Sequence, residues 1–346
     1  MSKKVVVTGG AGFIGHILIK YILDNTDWEV ISLDRLDYSG NLNRFSHMLK
    51  DYPEKEKTRL QIIYHDLKSE INNLLDSKIK DAEIVFHLAA SSHVDRSIVD
   101  PLTFVEDNVL ATANLLNYAR FMDNLELLAY FSTDEVFGPA KPGQSFLEWD
   151  RYNSTNPYSA AKAGGEELAI AFENTYGLPI VISHCMNVYG ERQHPEKYIP
   201  NTLWKLKNNK KITIHASKDK STPGSRHYIY SEDVANSVMF ITENFEKLKK
   251  MQFPIDDIGP KCLKVNIPGT KELDNLEVAK LISEFSGFSL DYELVDFHSS
   301  RPGHDLRYAI DGTFIRKAGW EPNYTVEDSL EKLVKWYLEN PEWLEF

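Results

Sequence analysis

The first half of the chain alternates short apolar runs with stretches of helical periodicity. Residues 5–7, 30–33, 60–64, 84–88 and 127–131 read as strands, and 179–183 as another. Most are apolar almost throughout, as expected of strands covered on both faces. Helical patterns lie near 13–25, 103–122 and 159–176. A βαβαβ order predicts the α/β class with a doubly wound parallel sheet, Rossmann-like. Beyond Val188 the pattern loosens. Gly- and Pro-rich loops appear at 221–225, 259–260 and 301–303, with helices near 198–208, 231–246, 275–286 and 325–339. This part reads as a smaller mixed α/β lobe that completes a site. No proline-rich linker precedes it, so the lobes should interleave.

Composition narrows the function. With 346 residues, 42% hydrophobic and 26% charged, the chain is of ordinary globular type and large enough for one big domain or two fused ones. Its net charge of -12 disfavours nucleic acid as a partner. An anionic small molecule stays possible, because a few local arginines suffice to hold a phosphate. Two cysteines, Cys185 and Cys262, make no disulfide framework and fit a reducing, cytoplasmic setting. The apolar residues 5–7 run straight into Gly9-Gly10, so they are a strand and not a signal peptide, and no stretch is apolar enough to span a bilayer. The histidines His93, His194 and His304 lack ligand spacing with a third partner, so no metal is expected.

The run Thr8-Gly9-Gly10-Ala11-Gly12-Phe13-Ile14-Gly15 links the first strand to the first helix. Glycines at these spacings let the backbone turn sharply and approach a pyrophosphate resting on the helix N-terminus. Asp34 ends the second strand nineteen positions after Gly15, near the ~20 expected for a carboxylate on an adenosine ribose. That carboxylate favours NAD over NADP, although Arg35 beside it points the other way. Asp66, at the end of the third strand, is placed to hold the adenine edge.

Tyr158 and Lys162 stand four apart after Pro157, on one face of a predicted helix. With the hydroxyl of Thr133 they form a set that can take a proton from a sugar hydroxyl as hydride leaves its carbon, the lysine ammonium favouring the tyrosine phenolate. Asp134 and Glu135 follow Thr133 directly. Two carboxyls beside a redox set can remove a proton from one carbon and donate one to a leaving hydroxyl, which is elimination of water. The small residues Ala160, Ala161, Ala163, Gly164 and Gly165 would let another helix pack closely, and a homodimer is expected.

These residues resemble the extended short-chain dehydrogenases/reductases. More specific runs resemble the dTDP-glucose 4,6-dehydratase family: residues 34–42, 92–98, 132–138, 195–200 and 301–308, in order along nearly the whole chain. The resemblance implies an NAD-binding domain over residues 1–184, with 228–262 returning to it, and a mainly nucleotide-sugar lobe over 185–346. It implies cofactor binding by Gly9, Gly12, Phe13, Ile14, Gly15, Asp34, Asp66, Leu67, Ala89, Ala90, Tyr158 and Lys162. Tyr158, supported by Lys162 and Thr133, would act on the 4-hydroxyl, Glu135 would take the C5 proton, and Asp134 would protonate the departing C6 hydroxyl. Ser92 and Asn108 would line the hexose pocket or order its water, His93 and Thr133 would also bind substrate, and Asn187, Arg226 and Arg301 would face the nucleotide diphosphate.

Some positions depart from that family's pattern. Ser91 stands for a usual glutamate, His184 and Met186 for arginine and serine, and Ala161 for serine. The loop 217–225 is about four residues longer than usual. dTDP-glucose is the first reading, with UDP-glucose, UDP-N-acetylglucosamine or another nucleotide sugar open. A 4-epimerase or decarboxylase would need no acid pair after the threonine. A non-enzymatic NAD-binding regulator should have lost part of the set Thr133, Asp134, Glu135, Tyr158 and Lys162.

Overall fold

The computed structural model describes residues 2–253, 262–296 and 306–345. Seven parallel strands form the central sheet: β1 (Lys4–Thr8), β2 (Glu29–Asp34), β3 (Leu60–Tyr64), β4 (Ile84–His87), β5 (Leu127–Thr133), β6 (Ile180–Cys185) and, after three strands outside this sheet, β10 (Leu263–Ile267). Their order is β10-β6-β5-β4-β1-β2-β3. The strand order reverses between β1 and β4, which opens a crevice at their carboxyl ends.

Side-chain alternation divides the core. Val5 and Val7 of β1 pack on one face with Ile17, Leu18 and Ile22 of helix α1 (Phe13–Asn25). Val6 packs on the other with Val85, Leu128, Leu115 and Leu116. Both faces of the inner strands are covered, so these are mostly apolar, while the edge strand β3 exposes Gln61, Ile62 and Tyr64.

The predicted helix over 103–122 is broken. A turn and a half of α-helix leads into a π-helical segment, Glu106–Leu110, and then another α-helix, Ala111–Ala119. The wide turn carries Asp107 and Asn108 inward, where both are buried.

The helix Pro157–Tyr176 (α2 here) starts at a capping box between Asn156 and Ser159, with Pro157 in its first turn. Its small residues are used within the chain. A Cβ on Gly165 would lie 2.3 Å from the Tyr130 hydroxyl, one on Gly164 would lie 3.2 Å from Val109, and Ala161 is buried against Tyr158 and Phe104. The glycine and alanine run therefore seats α2 on β5 and the π-helical segment, and gives no argument for a partner chain.

Beyond β6 lie strands that the sequence pattern did not reveal. β7 (Asn187–Tyr189), β9 (Ser225–Tyr230) and β11 (Lys271–Asp274) form a three-stranded sheet, while β8 (Ile212–Ala216) pairs with β12 (Tyr292–Asp296). They surround a third core with Leu203, Ile282, Leu330 and Tyr337. The chain returns to the first lobe through helices Ser231–Glu243 and Phe245–Gln252 and then β10, which pairs with β6 over Leu263–Ile267. Arg301 and its run 301–305, and the loop 259–260, lie outside the described residues.

Candidate active site

One cleft of about 540 Å³ opens over the carboxyl ends of β1, β4, β5 and β6 and runs into the smaller lobe. At its first end, the turn after β1 is built on glycine. Gly9 has φ of +70°, and a Cβ there would sit 2.8 Å from the Ala89 backbone. A Cβ on Gly15 would sit 2.2 Å from the Gly9 carbonyl oxygen. Gly12 caps α1 without any side-chain bond, and no acid occupies its first turn. The backbone N–H groups at this helix start thus face the cleft, which also touches Phe13, Ile14 and Ala90.

Asp34 is buried at the end of β2. Its Oδ2 accepts from the Ala11 N–H at 3.0 Å and its Oδ1 from the Leu36 N–H at 2.8 Å. Burial pushes its carboxyl up, against those two bonds. Arg35 turns elsewhere: its guanidinium bonds both oxygens of Asp107 at 2.5 and 2.6 Å and also Asp37. Asp66 lies 3.9 Å from Arg35 and from Lys68, and Leu67 is buried. Asp34, Asp66, Leu67 and Ala89 do not line the cleft wall itself.

At the centre the cleft is lined by Thr133, Asp134, Glu135, Tyr158 and Lys162. Tyr158 and Lys162 point from α2 toward β5. Lys162 Nζ donates to the Phe131 carbonyl at 2.7 Å and sits 4.3 Å from the centre of the Tyr130 ring. Burial pulls its ammonium down to about 8, with Glu166 opposing. Burial, then the charge of Glu135, pushes the Tyr158 phenol up, and a hydrogen bond with Thr133 opposes them. The ammonium expected to favour its phenolate is directed at a carbonyl instead, so the protein alone keeps Tyr158 protonated.

The two carboxyls differ. Asp134 is buried, its Oδ1 accepts from Thr133 at 3.2 Å, and burial followed by the Glu135 charge pushes it up to about 7. Glu135 is half-buried and accepts from Asn156 at 3.2 Å and from the Tyr308 hydroxyl at 3.5 Å. One neighbour is thus an acid near neutrality, and the other faces the open cleft.

The far end is basic. Lys197, Lys205 and Arg226 line it, with His215 and Asn187 beside them. Arg226 donates to the carbonyls of Ser225 and Leu306 at 2.7 Å, and its Cζ lies 4.6 Å over the Tyr308 ring. Ser92 and His93 line the wall, where His93 caps a short helix. Asn108, expected at the hexose, does not reach the cleft. Its amide is bonded at both ends to the Ser91 backbone, at 2.8 and 3.0 Å. The π-helical turn buries it, and there it holds the loop that carries Ser92. Among the described residues no group of three His, Cys, Asp or Glu is arranged to hold a metal, and no helix is long and apolar enough to cross a membrane.

A family profile described as GDP-mannose 4,6 dehydratase matches residues 6–333. The chain belongs to this dehydratase family. It is 35% identical to the dTDP-glucose 4,6-dehydratase of Salmonella typhimurium, over 99% of this chain and 94% of that one. It is 37% identical to the low-salt glycan biosynthesis protein Agl12 of Haloferax volcanii, over 98% and 99%. Among solved structures it resembles DesIV, a dTDP-glucose 4,6-dehydratase from Streptomyces venezuelae with NAD and TYD bound, at 32% identity, 99% coverage of both chains and a TM-score of 0.84. The resemblance and the fold class drawn from the sequence are borne out.

The sequence reading of this family member assigned no role to Lys197, Tyr198, Lys205, His215 or Tyr308. A signal existed for some of them: Tyr198, Asn201 and Lys205 recur at helical spacing on the segment Tyr198–Lys207, and all three line the cleft.

Proposed function

We propose that this chain is an NAD-dependent nucleotide-sugar 4,6-dehydratase, a hydro-lyase, converting dTDP-glucose to dTDP-4-keto-6-deoxyglucose. The observation that carries this reading is the unlike pair Asp134 and Glu135 in one cleft with Tyr158 and Lys162. NAD fits the first end, where a Cβ on Gly9 or Gly15 would fill the glycine cradle and the α1 N-terminus has no side-chain cap. Asp34, at the end of β2, would hold the adenosine ribose, with Asp66, Leu67, Ala89 and Ala90 expected around the base. Bound there, NAD would supply the hydride acceptor for C4 and the hydride donor for C6.

Tyr158 takes the proton of the 4-hydroxyl as C4 becomes a ketone, held in place by Thr133 and Lys162. The ketone acidifies C5, and Glu135 takes that proton. Asp134, protonated near neutral pH, gives its proton to the C6 oxygen, and the C6–O bond breaks to release water. Glu135 returns its proton to C5 as C6 is reduced. The proton left on Tyr158 balances the one lost by Asp134, so the sum is loss of one water. Ser92 and His93 stand beside the hexose, while Asn187, Arg226, Lys197 and Lys205 suit the diphosphate, with Arg301 expected to join them.

A UDP-linked sugar is the second reading. The long loop 217–224 joins β8 and β9, which bring His215 and Arg226 to the far end of the cleft. A base pocket built there need not be selective for thymine. A homodimer in the cytoplasm is part of the proposal. Val99, Leu102 and Val105 are 85%, 73% and 49% exposed on adjoining short helices, an apolar patch that a second copy would cover.

Mass spectrometry after incubation with a panel of nucleotide sugars tests the reading. Loss of one water from dTDP-glucose supports it, and loss only from a UDP-sugar supports the second reading. No loss from any of them, with NAD bound, rejects both.

A further inference from the structure

Behind the redox pair lies a carboxylate that the proposed chemistry does not use. Glu166 is fully buried on α2, four residues after Lys162. Its Oε1 accepts from the Ser132 hydroxyl, and its Oε2 accepts from the Tyr152 hydroxyl and contacts His184 Nε2 at 3.1 Å. Lys264 of β10 in turn donates to the Tyr152 hydroxyl at 2.5 Å. His184 is anchored on its other side by Asn266, 3.0 Å from Nδ1.

The contacts of α2 with β5 form a series. Tyr158, Lys162 and Glu166 follow one another at intervals of four along one helix face. Tyr158 meets Thr133, Lys162 meets the Phe131 carbonyl, and Glu166 meets Ser132. Three successive residues of the strand are each held by one of three helix residues. The last of these strand residues directly precedes Asp134 and Glu135.

We propose that Glu166 is a positioning residue for the redox pair: its carboxylate pins Ser132, and hence Thr133, and is the counter-charge that keeps Lys162 an ammonium inside the protein. This rests on the reading of Tyr158 and Lys162 as the redox pair.

The groups facing Lys162 leave Glu166 alone in that role. From β4 comes His87, driven down to about 3 by burial and then by Lys162 itself, and so neutral. From β5 comes Tyr130, its phenol pushed up by burial. On α2 itself are Tyr158, also pushed up, and Glu166. Asp134 and Glu135 act on Tyr158. Burial works against the charge of Glu166, but His184, Lys264 of β10 and Ser132 outweigh it and hold the carboxyl below its usual range. Glu166 is therefore ionised throughout the working pH range. A buried ammonium without a partner would release its proton.

The test is NMR titration of [13Cε]lysine-labelled protein, with the Lys162 signal assigned by its loss in Lys162→Met. In the natural chain Lys162 should titrate near 8. In Glu166→Gln the midpoint should move at least about one pH unit lower, and the alkaline limb of kcat should move with it while KM holds. Glu166→Asp keeps the charge and should recover part of both shifts. An unmoved Lys162 midpoint in folded Glu166→Gln overturns the proposal. If Glu166→Gln does not fold, Ser132→Ala decides, because it removes the pinned hydroxyl and leaves the Glu166 charge in place: a kcat equal to the natural chain's overturns the proposal. The titration needs no substrate, so absence of any dehydratase activity would reject the proposed function while leaving this test intact.

Discussion

Asp134 is buried with its Oδ2 unbonded among the described residues, while Glu135, the next residue, opens to the cleft and is bonded by Asn156. Adjacent carboxyls thus occupy opposite environments, the condition for one to act as acid and the other as base. Glu135→Gln keeps the amide contact with Asn156 but cannot take a proton. Solvent deuterium should stop entering C5, and turnover should fall by roughly 10²–10⁴. Near-normal turnover with deuterium at C5 would reject Glu135 as the base.

The elevated Asp134 carboxyl has a cost in stability whose sign is fixed. Its folded value, about 7, lies above the ordinary aspartate value of 3.8. Its contribution to stability is full below about 4 and is lost as pH rises to about 7. Asp134→Asn does not titrate. Thermal unfolding should find the variant gaining on the natural chain across that window, by roughly 2–4 kcal/mol at pH 8. Its turnover should fall, because the C6 oxygen has lost its acid. Equal stability of the two proteins at every pH would mean that Asp134 is ionised when folded.

Arg35 is bound to Asp107 and Asp37 and is not free to meet a 2′-phosphate. Arg35→Ala should therefore leave the preference for NAD over NADP in place and cost stability, roughly 1–3 kcal/mol, because the buried Asp107 loses its main donor. Asp34→Ala should weaken NAD binding directly. Calorimetric titration with both cofactors separates the two effects. A switch to NADP in Arg35→Ala would show that the arginine guards the ribose.

The chemistry was legible where it is local, and lost where it depends on distant pairing. Glycine spacing, strand-end Asp34 and the Tyr158–Lys162 interval are properties of one strand–turn–helix or one helix turn. Asn108 is buried off the cleft because the π-helical turn inserts a residue and shifts the helical phase, which the sequence pattern does not reveal. Glu166 stands next to Glu167, and such a pair on a helix reads as a solvated face, yet Glu166 is buried and Glu167 exposed. Lys197, His215 and Arg226 come together only because β8 and β9 fold over the first lobe. Those strands are short: β8 alternates apolar and polar residues over only five positions, and β9 does not alternate at all.

Tyr158→Phe should abolish the first hydride transfer. The protein alone holds this phenol protonated, so the charge that lowers it must come with the cofactor. On mixing with substrate, absorbance of reduced nicotinamide should not appear, while affinity for the nucleotide sugar persists. Undiminished reduction on mixing would assign the base elsewhere.

Gly165 joins the fold to the chemistry. Its missing side chain lets α2 approach Tyr130, whose hydroxyl donates to the Lys162 carbonyl at 3.2 Å. In Gly165→Ala the new Cβ would lie 2.3 Å from that hydroxyl and 2.8 Å from the Asn108 carbonyl oxygen. Neither can retreat: Tyr130 is buried between sheet and helix, and Asn108 is clamped to Ser91. The helix must lift from β5, at roughly 1–3 kcal/mol, and it carries Tyr158 and Lys162 with it. Calorimetry should show a lower Tm, and kcat should fall more than stability alone explains, with NAD affinity nearly kept because the glycine turn lies on another strand. A variant with the natural Tm and kcat would mean that α2 has room to spare and that its closeness to β5 is not what positions the pair.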